Sequence, residues 1–167
     1  MTAAPSAAPL IDESQWNALT FAERFVVWNI RLWLAGWLGD STAAERSARA
    51  FETVGASGAI VPLDCLMRSV STLASRPVQL ACVCKAGLSR DEGLLLDALA
   101  VAQADGPVDG LFTLRPLSGP EGCRVLRRLC ADCARALAEA GLHLTVRLSG
   151  FYAPVPEPAS VSKMAVR

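Results

Sequence analysis

Apolar residues recur every three to four positions along most of the stretch between residues 20 and 140, which is the period of amphipathic α-helices. Glycine, proline and small polar residues interrupt this pattern at intervals typical of helix ends. The pattern predicts five helices, over residues 20–38, 41–54, 62–75, 89–104 and 120–140. A sixth, shorter helix is predicted from Pro77 to Ala86, closed by Gly87. The predicted fold class is therefore all-α, a single-domain bundle of five to six helices.

Three of the predicted helices begin with a capping signal. Thr20 and Glu23 have the spacing of a capping box, in which a hydroxyl and a carboxylate bond the free amide groups of the first helical turn. Ser89 and Glu92 repeat that spacing, and Ser41 is the predicted cap of the second helix. These signals place three helix starts more firmly than hydropathy alone does.

The period of the pattern changes near the C-terminus of the predicted bundle. Residues 142–148 alternate apolar and polar positions, as a β-strand does. A single strand has no partner for its backbone hydrogen-bonding groups. We therefore expect a short extended segment that lies on the bundle.

Composition sets the expected limits of the folded domain. The chain has 167 residues, a length suited to one domain, and its hydrophobic content of 52% is too high for a disordered chain. Residues 1–9 are rich in Ala and Pro, and three prolines alternate within residues 151–167. A disordered N-terminal tail over 1–9, a helical domain over 10–150 and a Pro-rich flexible tail over 151–167 are predicted.

The first predicted helix is apolar around almost its whole circumference. It contains Trp28, Trp33 and Trp37, while Arg24 and Arg31 form only a narrow polar stripe. Such a helix either lies at the centre of a core or shares its surface with another chain. Because five or six helices cannot easily surround one completely, we expect it to serve both the core and an interface.

The predicted interface is a homodimer contact along this helix, since Trp is enriched at protein interfaces. Gly36 would allow a neighbouring helix to approach closely, and Asn29 could pair with Asn29 of a second chain and fix its register. A role at a membrane surface is disfavoured because the polar stripe lacks an excess of Lys and Arg. The candidate interface residues are Trp28, Asn29, Leu32, Trp33, Gly36 and Trp37.

The cysteines suggest an alternative chemistry. Cys130 and Cys133 form a C-x-x-C, and with Cys82 and Cys84 they are candidate metal ligands or sensor thiols. However, the C-x-x-C falls on the apolar face of a predicted helix, far from the helix N-terminus that a redox pair requires. Cysteines that pack in the core are therefore favoured over a metal site.

Enzyme motifs are missing from the sequence. His143 is the only histidine, and neither a G-x-S-x-G elbow nor a phosphate-binding glycine loop occurs. The 16 basic and 16 acidic residues balance, which removes the electrostatic argument for a nucleic-acid binder. We expect a non-enzymatic protein with no cofactor and no nucleic-acid partner.

The N-terminal residues predict a cytoplasmic location. They lack a positively charged segment, and Asp12 and Glu13 interrupt any apolar stretch of a signal peptide. The longest strongly apolar run, Phe25–Leu38, is shorter than the roughly 20 residues that span a bilayer. Reduced thiols and no membrane partner are expected.

Three functional hypotheses remain from the sequence. The leading one is a helical protein that acts through self-association, or through binding a protein partner, by its Trp-rich first helix. The alternative is a metal-binding or thiol-based sensor that uses Cys130 and Cys133. The second alternative is a small-molecule carrier with a pocket between helices.

Overall fold

The computed structural model describes residues 16–104 and 113–147, and that part of the chain is an all-helical bundle, which confirms the predicted fold class. The predicted tails over 1–9 and 151–167 lie outside the described residues. The helices are α1 (Phe21–Trp37), α2 (Ala43–Thr53), a short 3₁₀ helix (Ser57–Ala59), α3 (Ile60–Leu73), α4 (Arg90–Gln103) and α5 (Arg115–Glu139). Among the described residues, no helix combines the length and the apolarity that crossing a bilayer requires.

Both predicted capping boxes are present. At the start of α1 the Thr20 amide donates to Glu23 Oε2 at 2.6 Å, and the Glu23 amide donates to Thr20 Oγ1 at 3.2 Å. At the start of α4 the Ser89 amide donates to Glu92 Oε2 at 2.8 Å, and the Glu92 amide donates to Ser89 Oγ at 3.2 Å. Each box satisfies two amide groups that a helix start otherwise leaves without a partner.

The predicted cap of α2 is wrong. The helix starts at Ala43 with Thr42 as the capping residue, not Ser41, and Thr42 makes no side-chain bond to the helix. Instead, Asp40 Oδ1 accepts from the Thr42 amide at 2.9 Å and from Thr42 Oγ1 at 2.8 Å. An aspartate that bonds the backbone two residues further on forms this turn without a helix cap.

The last helix begins earlier than predicted. It runs from Arg115, and the backbone at Gly119 leaves the helical region with φ 65°. Pro120 follows directly, so the predicted start at Pro120 marks the point after a kink. Gly119 tolerates this conformation because it has no Cβ.

The helix predicted over 77–86 is wrong: those residues form turns and irregular backbone. Two of their amide groups bond to side chains at the start of α4, where a helix would have bonded them to backbone carbonyls. The Gln79 amide donates to Asp91 Oδ2 at 2.7 Å, and the Ala81 amide donates to Glu92 Oε1 at 2.9 Å. Two buried carboxylates therefore replace the intrahelical acceptors that the local sequence pattern implied.

The bundle is arranged around α5. Both α3 and α4 pack along α5, α2 packs on α1, and α1 completes the core against α3 and α4. An edge-to-face contact between Phe25 and Phe51, with ring centroids 5.0 Å apart, joins α1 to α2. Residues 142–147 lie on the bundle without helix or strand, and Leu142 and Leu144 are buried, as the alternation predicts.

Candidate functional site

A pair of stacked tryptophans forms a ridge near the C-terminal end of α1. The rings of Trp33 and Trp37 stack with centroids 5.3 Å apart and planes 16° from parallel. Trp33 is half-buried, and its indole Nε1 donates to Asp64 Oδ1 of α3 at 2.9 Å. Trp37 is 61% exposed and the adjacent Leu38 is 76% exposed. Bulky apolar side chains are therefore exposed to solvent at this end of the helix. We call the surface formed by Trp33, Trp37 and Leu38 the tryptophan ridge.

A groove of about 550 Å³ runs along one side of the ridge, between α1, α2 and α3. Its apolar lining comes from all three helices and includes Leu32, Phe51, Ile60, Val61 and Leu63. Val61 at its edge is 69% exposed. We call this hollow the α1–α3 groove.

A second hollow, of about 470 Å³, lies against the same two tryptophans. It is formed by α1, the C-terminal half of α3 and the irregular segment that follows α3. Its lining includes Leu34, Met67, Val70, Pro77 and Leu80. The tryptophan ridge is thus a convex feature with a hollow on each side.

The six candidate interface residues fall into three groups. Trp33, Gly36 and Trp37 lie at the surface, on the ridge and the edge of the groove. Asn29 and Leu32 also border the groove but are buried in its floor. Trp28 of α1 lies away from the groove and borders a separate hollow that is lined mainly by α2. Arg46 Cζ of α2 is 5.9 Å from its ring centroid.

Asn29 finds its partners inside its own chain. Its side-chain nitrogen donates to the Phe25 carbonyl at 2.9 Å, and its Oδ1 accepts from Ser47 Oγ of α2 at 2.7 Å. The close approach expected at Gly36 likewise occurs within the chain, where a Cβ at Gly36 would lie 3.6 Å from Ala43 Cβ. The pairing of Asn29 with a second chain is therefore not needed to satisfy its amide.

Each charged residue that lines the α1–α3 groove has an ion-pair partner. Arg68 Nε donates to Asp64 Oδ2 at 2.8 Å, and Arg46 Nη1 lies 3.7 Å from Asp40 Oδ2. Partial burial acts to raise the pKa of Asp64, but the hydrogen bonds from Arg68 and Trp33 outweigh it and hold that pKa below its usual value. Asp64 thus stays ionised and paired, and the edge of the groove carries little net charge.

The four cysteines considered as ligands do not come together. Cys130 and Cys133 are fully buried on α5, whereas Cys82 and Cys84 are exposed on the irregular segment. Burial raises the pKa of Cys133 to about 12, and the pKa of Cys130 is raised further by burial and by Cys133. Within residues 16–104 and 113–147 no group of three or more His, Cys, Asp or Glu side chains is placed to hold a metal ion.

Hydropathy missed the most deeply buried charged pair. Arg31, expected in a polar stripe, is 1% exposed, and its Nε and Nη2 donate to the two carboxylate oxygens of Glu92 at 2.8 and 2.9 Å. Its Nη1 also donates to the Lys85 carbonyl at 2.6 Å, and Nη2 donates to the Gly87 carbonyl. The signal in the sequence was a charged Arg in a largely apolar helix, a conflict that burial with a carboxylate resolves.

A second buried charge cluster joins α1, α4 and the end of the described chain. Arg147 Nη2 donates to Glu23 Oε2 at 2.6 Å, and Glu23 also accepts from the Thr145 amide at 3.2 Å. Asp97 of α4 is buried nearby. Burial raises the pKa of Asp97 to about 6, the Glu23 charge adds to that rise, and the Arg147 charge opposes it.

Comparisons with protein-family models, with curated proteins and with solved structures give no match to this chain. The features of the molecule that bear on function are the tryptophan ridge, the two hollows beside it, the cysteines and the buried charges.

Proposed function

We propose that this helical protein associates with a second copy of itself through the tryptophan ridge and the α1–α3 groove, which act as a binding surface and not as a catalytic site. The observation that carries the proposal is the exposure of Trp37 and Leu38 directly beside an apolar hollow. Large exposed apolar patches on small proteins mark interaction surfaces.

The shape of this face favours a second copy as the partner. In a two-fold symmetric contact the same patch serves both chains, so a patch must be complementary to itself. Here each chain offers both a convex ridge and an adjoining concave groove, and a two-fold axis between them would seat each ridge in the opposite groove. Tryptophan anchors in pockets of this kind supply most of the binding energy at interfaces.

The charges at the edge of the groove are compatible with that contact. When two identical surfaces meet, an excess of one charge faces itself and repels. The Asp64–Arg68 and Asp40–Arg46 pairs are neutral as pairs, so two copies can approach without that repulsion.

We also propose a cytoplasmic location for the dimer. All six cysteines are free thiols, and Cys65, Cys82 and Cys84 are exposed. Exposed free thiols persist where the environment is reducing.

Sedimentation of the purified protein at micromolar concentration, under reducing conditions, tests the dimer. We expect twice the chain mass of 17.6 kDa. Trp37→Glu places a charge on the ridge and is expected to return the particle to the monomer mass. Val125→Glu, at an exposed apolar residue of α5, is the matched control and is expected to remain dimeric. A wild-type monomer throughout the concentration series, or equal dissociation by both variants, contradicts the proposal.

The groove supports a second candidate function, binding of a small apolar molecule. Its volume of about 550 Å³ is within the range of ligand sites, roughly 300–1,000 Å³. A carrier and a dimer predict different results with an apolar fluorescent dye. Dye binding that saturates on a wild-type monomer and is lost in Trp37→Glu supports the carrier over the dimer.

A further inference from the structure

Two exposed thiols lie side by side on the irregular segment between α3 and α4. Cys82 and Cys84 are both exposed, and their sulfur atoms lie 2.8 Å apart. That separation exceeds the length of a disulfide bond by less than about 1 Å. The two sulfurs therefore need only a small movement to become bonded.

The backbone that carries these thiols is held by the buried side chain of Arg31. Arg31 Nη1 lies 3.5 Å from the Cys82 carbonyl oxygen and 2.6 Å from that of Lys85, while the Lys85 amide donates to the Cys82 carbonyl at 3.1 Å. Arg31 is itself held by Glu92 in the core. A turn supported by a buried ion pair keeps both sulfurs close together while leaving them open to solvent.

The two thiols differ in acidity in the way that a nucleophile and a resolving thiol require. The hydrogen bond between the two thiols is the main cause that lowers the pKa of Cys82, and the charge of Lys85 adds to it. The same hydrogen bond and the charge on Cys82 raise the pKa of Cys84. Cys82 is thus the more acidic thiol of the pair, and the thiolate is the reactive form of cysteine.

The other four cysteines differ from this pair in burial or in position. Cys130 and Cys133 are fully buried, and burial holds the pKa values of both far above the usual range. Cys65 is exposed on α3, and Cys123 is half-buried on α5. Cys82 and Cys84 are therefore two fully accessible thiols whose sulfur atoms lie within 2.8 Å of each other.

We propose that Cys82 and Cys84 form a thiol–disulfide exchange site whose substrate is an accessible disulfide, carried either by a small thiol compound or by another protein. The site is separate from the ridge residues that the proposed dimer uses. It also differs from the C-x-x-C of α5, which burial removes from such chemistry.

The exchange proceeds in two steps. The Cys82 thiolate attacks one sulfur of the substrate disulfide, so that a mixed disulfide forms and the other substrate sulfur leaves as a thiolate. Cys84, on losing its proton, then attacks Cys82 Sγ, which forms the Cys82–Cys84 disulfide and releases the second substrate thiolate. The dithiol loses two electrons and two protons, and the substrate disulfide gains them as two thiols.

Incubation of the full chain with oxidised glutathione, followed by alkylation and mass spectrometry, tests the proposal. We expect wild type to lose two alkylatable thiols, at Cys82 and Cys84, without retaining glutathione. In Cys84→Ser the mixed disulfide cannot resolve, so glutathione should accumulate on Cys82. Cys82→Ser should react at Cys84 about tenfold or more slowly, because the more acidic thiol is lost. A parallel assay with insulin in place of oxidised glutathione tests whether a protein disulfide, and not only a small one, is a substrate.

Cys65→Ser is the matched control, since Cys65 is exposed but has no neighbouring thiol in the described structure. It is expected to leave the exchange at Cys82 and Cys84 unchanged. The proposal is overturned if Cys82 and Cys84 remain alkylatable in excess oxidised glutathione, or if Cys65 reacts as fast as Cys82. Failure to trap glutathione in Cys84→Ser also overturns it. Circular dichroism confirms that each variant is folded, and the dimer mass is measured separately.

Discussion

At the scale of single residues, the Arg31–Glu92 pair is the most demanding feature of the core. Both side chains are withdrawn from water, so each charge depends on the other and on the surrounding backbone for compensation. Glu92 accepts from the Ala81 and Ser89 amides as well as from Arg31. The pair therefore joins α1, α4 and the segment between α3 and α4 at a single point.

Removal of either partner is expected to leave an uncompensated buried charge. Arg31→Met and Glu92→Gln should each lower the free energy of unfolding by about 3–5 kcal/mol, measured by urea denaturation. Arg68→Met, which breaks the solvent-exposed pair with Asp64, is the control and should change stability little, since water compensates its partner. Equal effects of Arg31→Met and Arg68→Met would contradict the energetic role assigned to the buried pair.

Asp97 is expected to make stability depend on pH. Its pKa of about 6 in the folded protein is above the unfolded value, so the folded state favours the protonated form. Its contribution is fully present below about pH 4 and is lost as the pH rises through about 6. Asp97→Asn removes this titration, so the variant should gain stability over wild type between pH 4.5 and pH 7, by up to about 3 kcal/mol. Urea unfolding of both proteins at pH 4.5 and pH 7 measures the difference in stability. A difference that is the same at both pH values excludes this role for Asp97.

At the scale of elements, the segment over residues 74–89 is organised by the first turn of α4. Ser89 belongs to the capping box and also donates from Oγ to the Gln79 carbonyl at 2.6 Å. The Asp91 carboxylate accepts hydrogen bonds from both terminal nitrogens of Arg76, at 2.8 and 2.6 Å. The start of α4 is therefore also the docking surface for the preceding chain.

Ser89→Ala removes both bonds of the hydroxyl at a site that is 4% exposed. We expect a loss of about 1–2 kcal/mol in the free energy of unfolding. Thr42→Ala provides the comparison, because Thr42 occupies the capping position of α2 without bonding the helix, and its loss should be smaller. Thermal and urea unfolding of both variants measure the difference, and a larger loss for Thr42→Ala would contradict the capping argument.

The elements show which part of the fold local sequence determines. The starts of α1 and α4 were predictable because a capping box acts over three residues and leaves its signature in the sequence. The helix expected over 77–86 failed because its backbone partners, Asp91 and Glu92, lie beyond any local pattern. Buried Arg31 was missed for the same reason, since its hydropathy indicates solvent and only the fold supplies Glu92.

The candidate site was predictable to a similar degree. An apolar helix with three tryptophans indicated surplus hydrophobic surface, and in the structure Trp37 is the tryptophan that exposes this surface to solvent. Which tryptophan faces solvent depends on where α2 and α3 pack, which a helical period does not specify. The proximity of Cys82 to Cys84 depended equally on a turn that their sequence favoured as helix.

At the scale of the whole molecule, residues 142–147 connect the end of α4 with the start of α1. Gln103 holds this segment, donating to the Leu142 carbonyl at 2.9 Å and accepting from the Leu144 amide at 2.8 Å. Arg147 then reaches Glu23 at the start of α1. The segment thus connects α1 with α4, although it is neither helix nor strand.

A chain that ends after Gly141 is expected to be less stable than one that ends after Arg147. The shorter chain loses the buried side chains of Leu142 and Leu144, each contributing about 1.5–3 kcal/mol, and the ion pair on Glu23. Comparison of their urea midpoints isolates residues 142–147. Identical midpoints would show that the segment does not contribute to stability.

Arg31 holds the turn before α4 through backbone atoms of that turn. Its contacts at Cys82, Lys85 and Gly87 are all to carbonyl oxygens, which every amino acid possesses. The position of this turn is therefore independent of the exposed side chains at 82, 84 and 85. Substitutions there can alter the reactivity of the surface while the scaffold stays unchanged, so this turn is a suitable place to graft new short sequences.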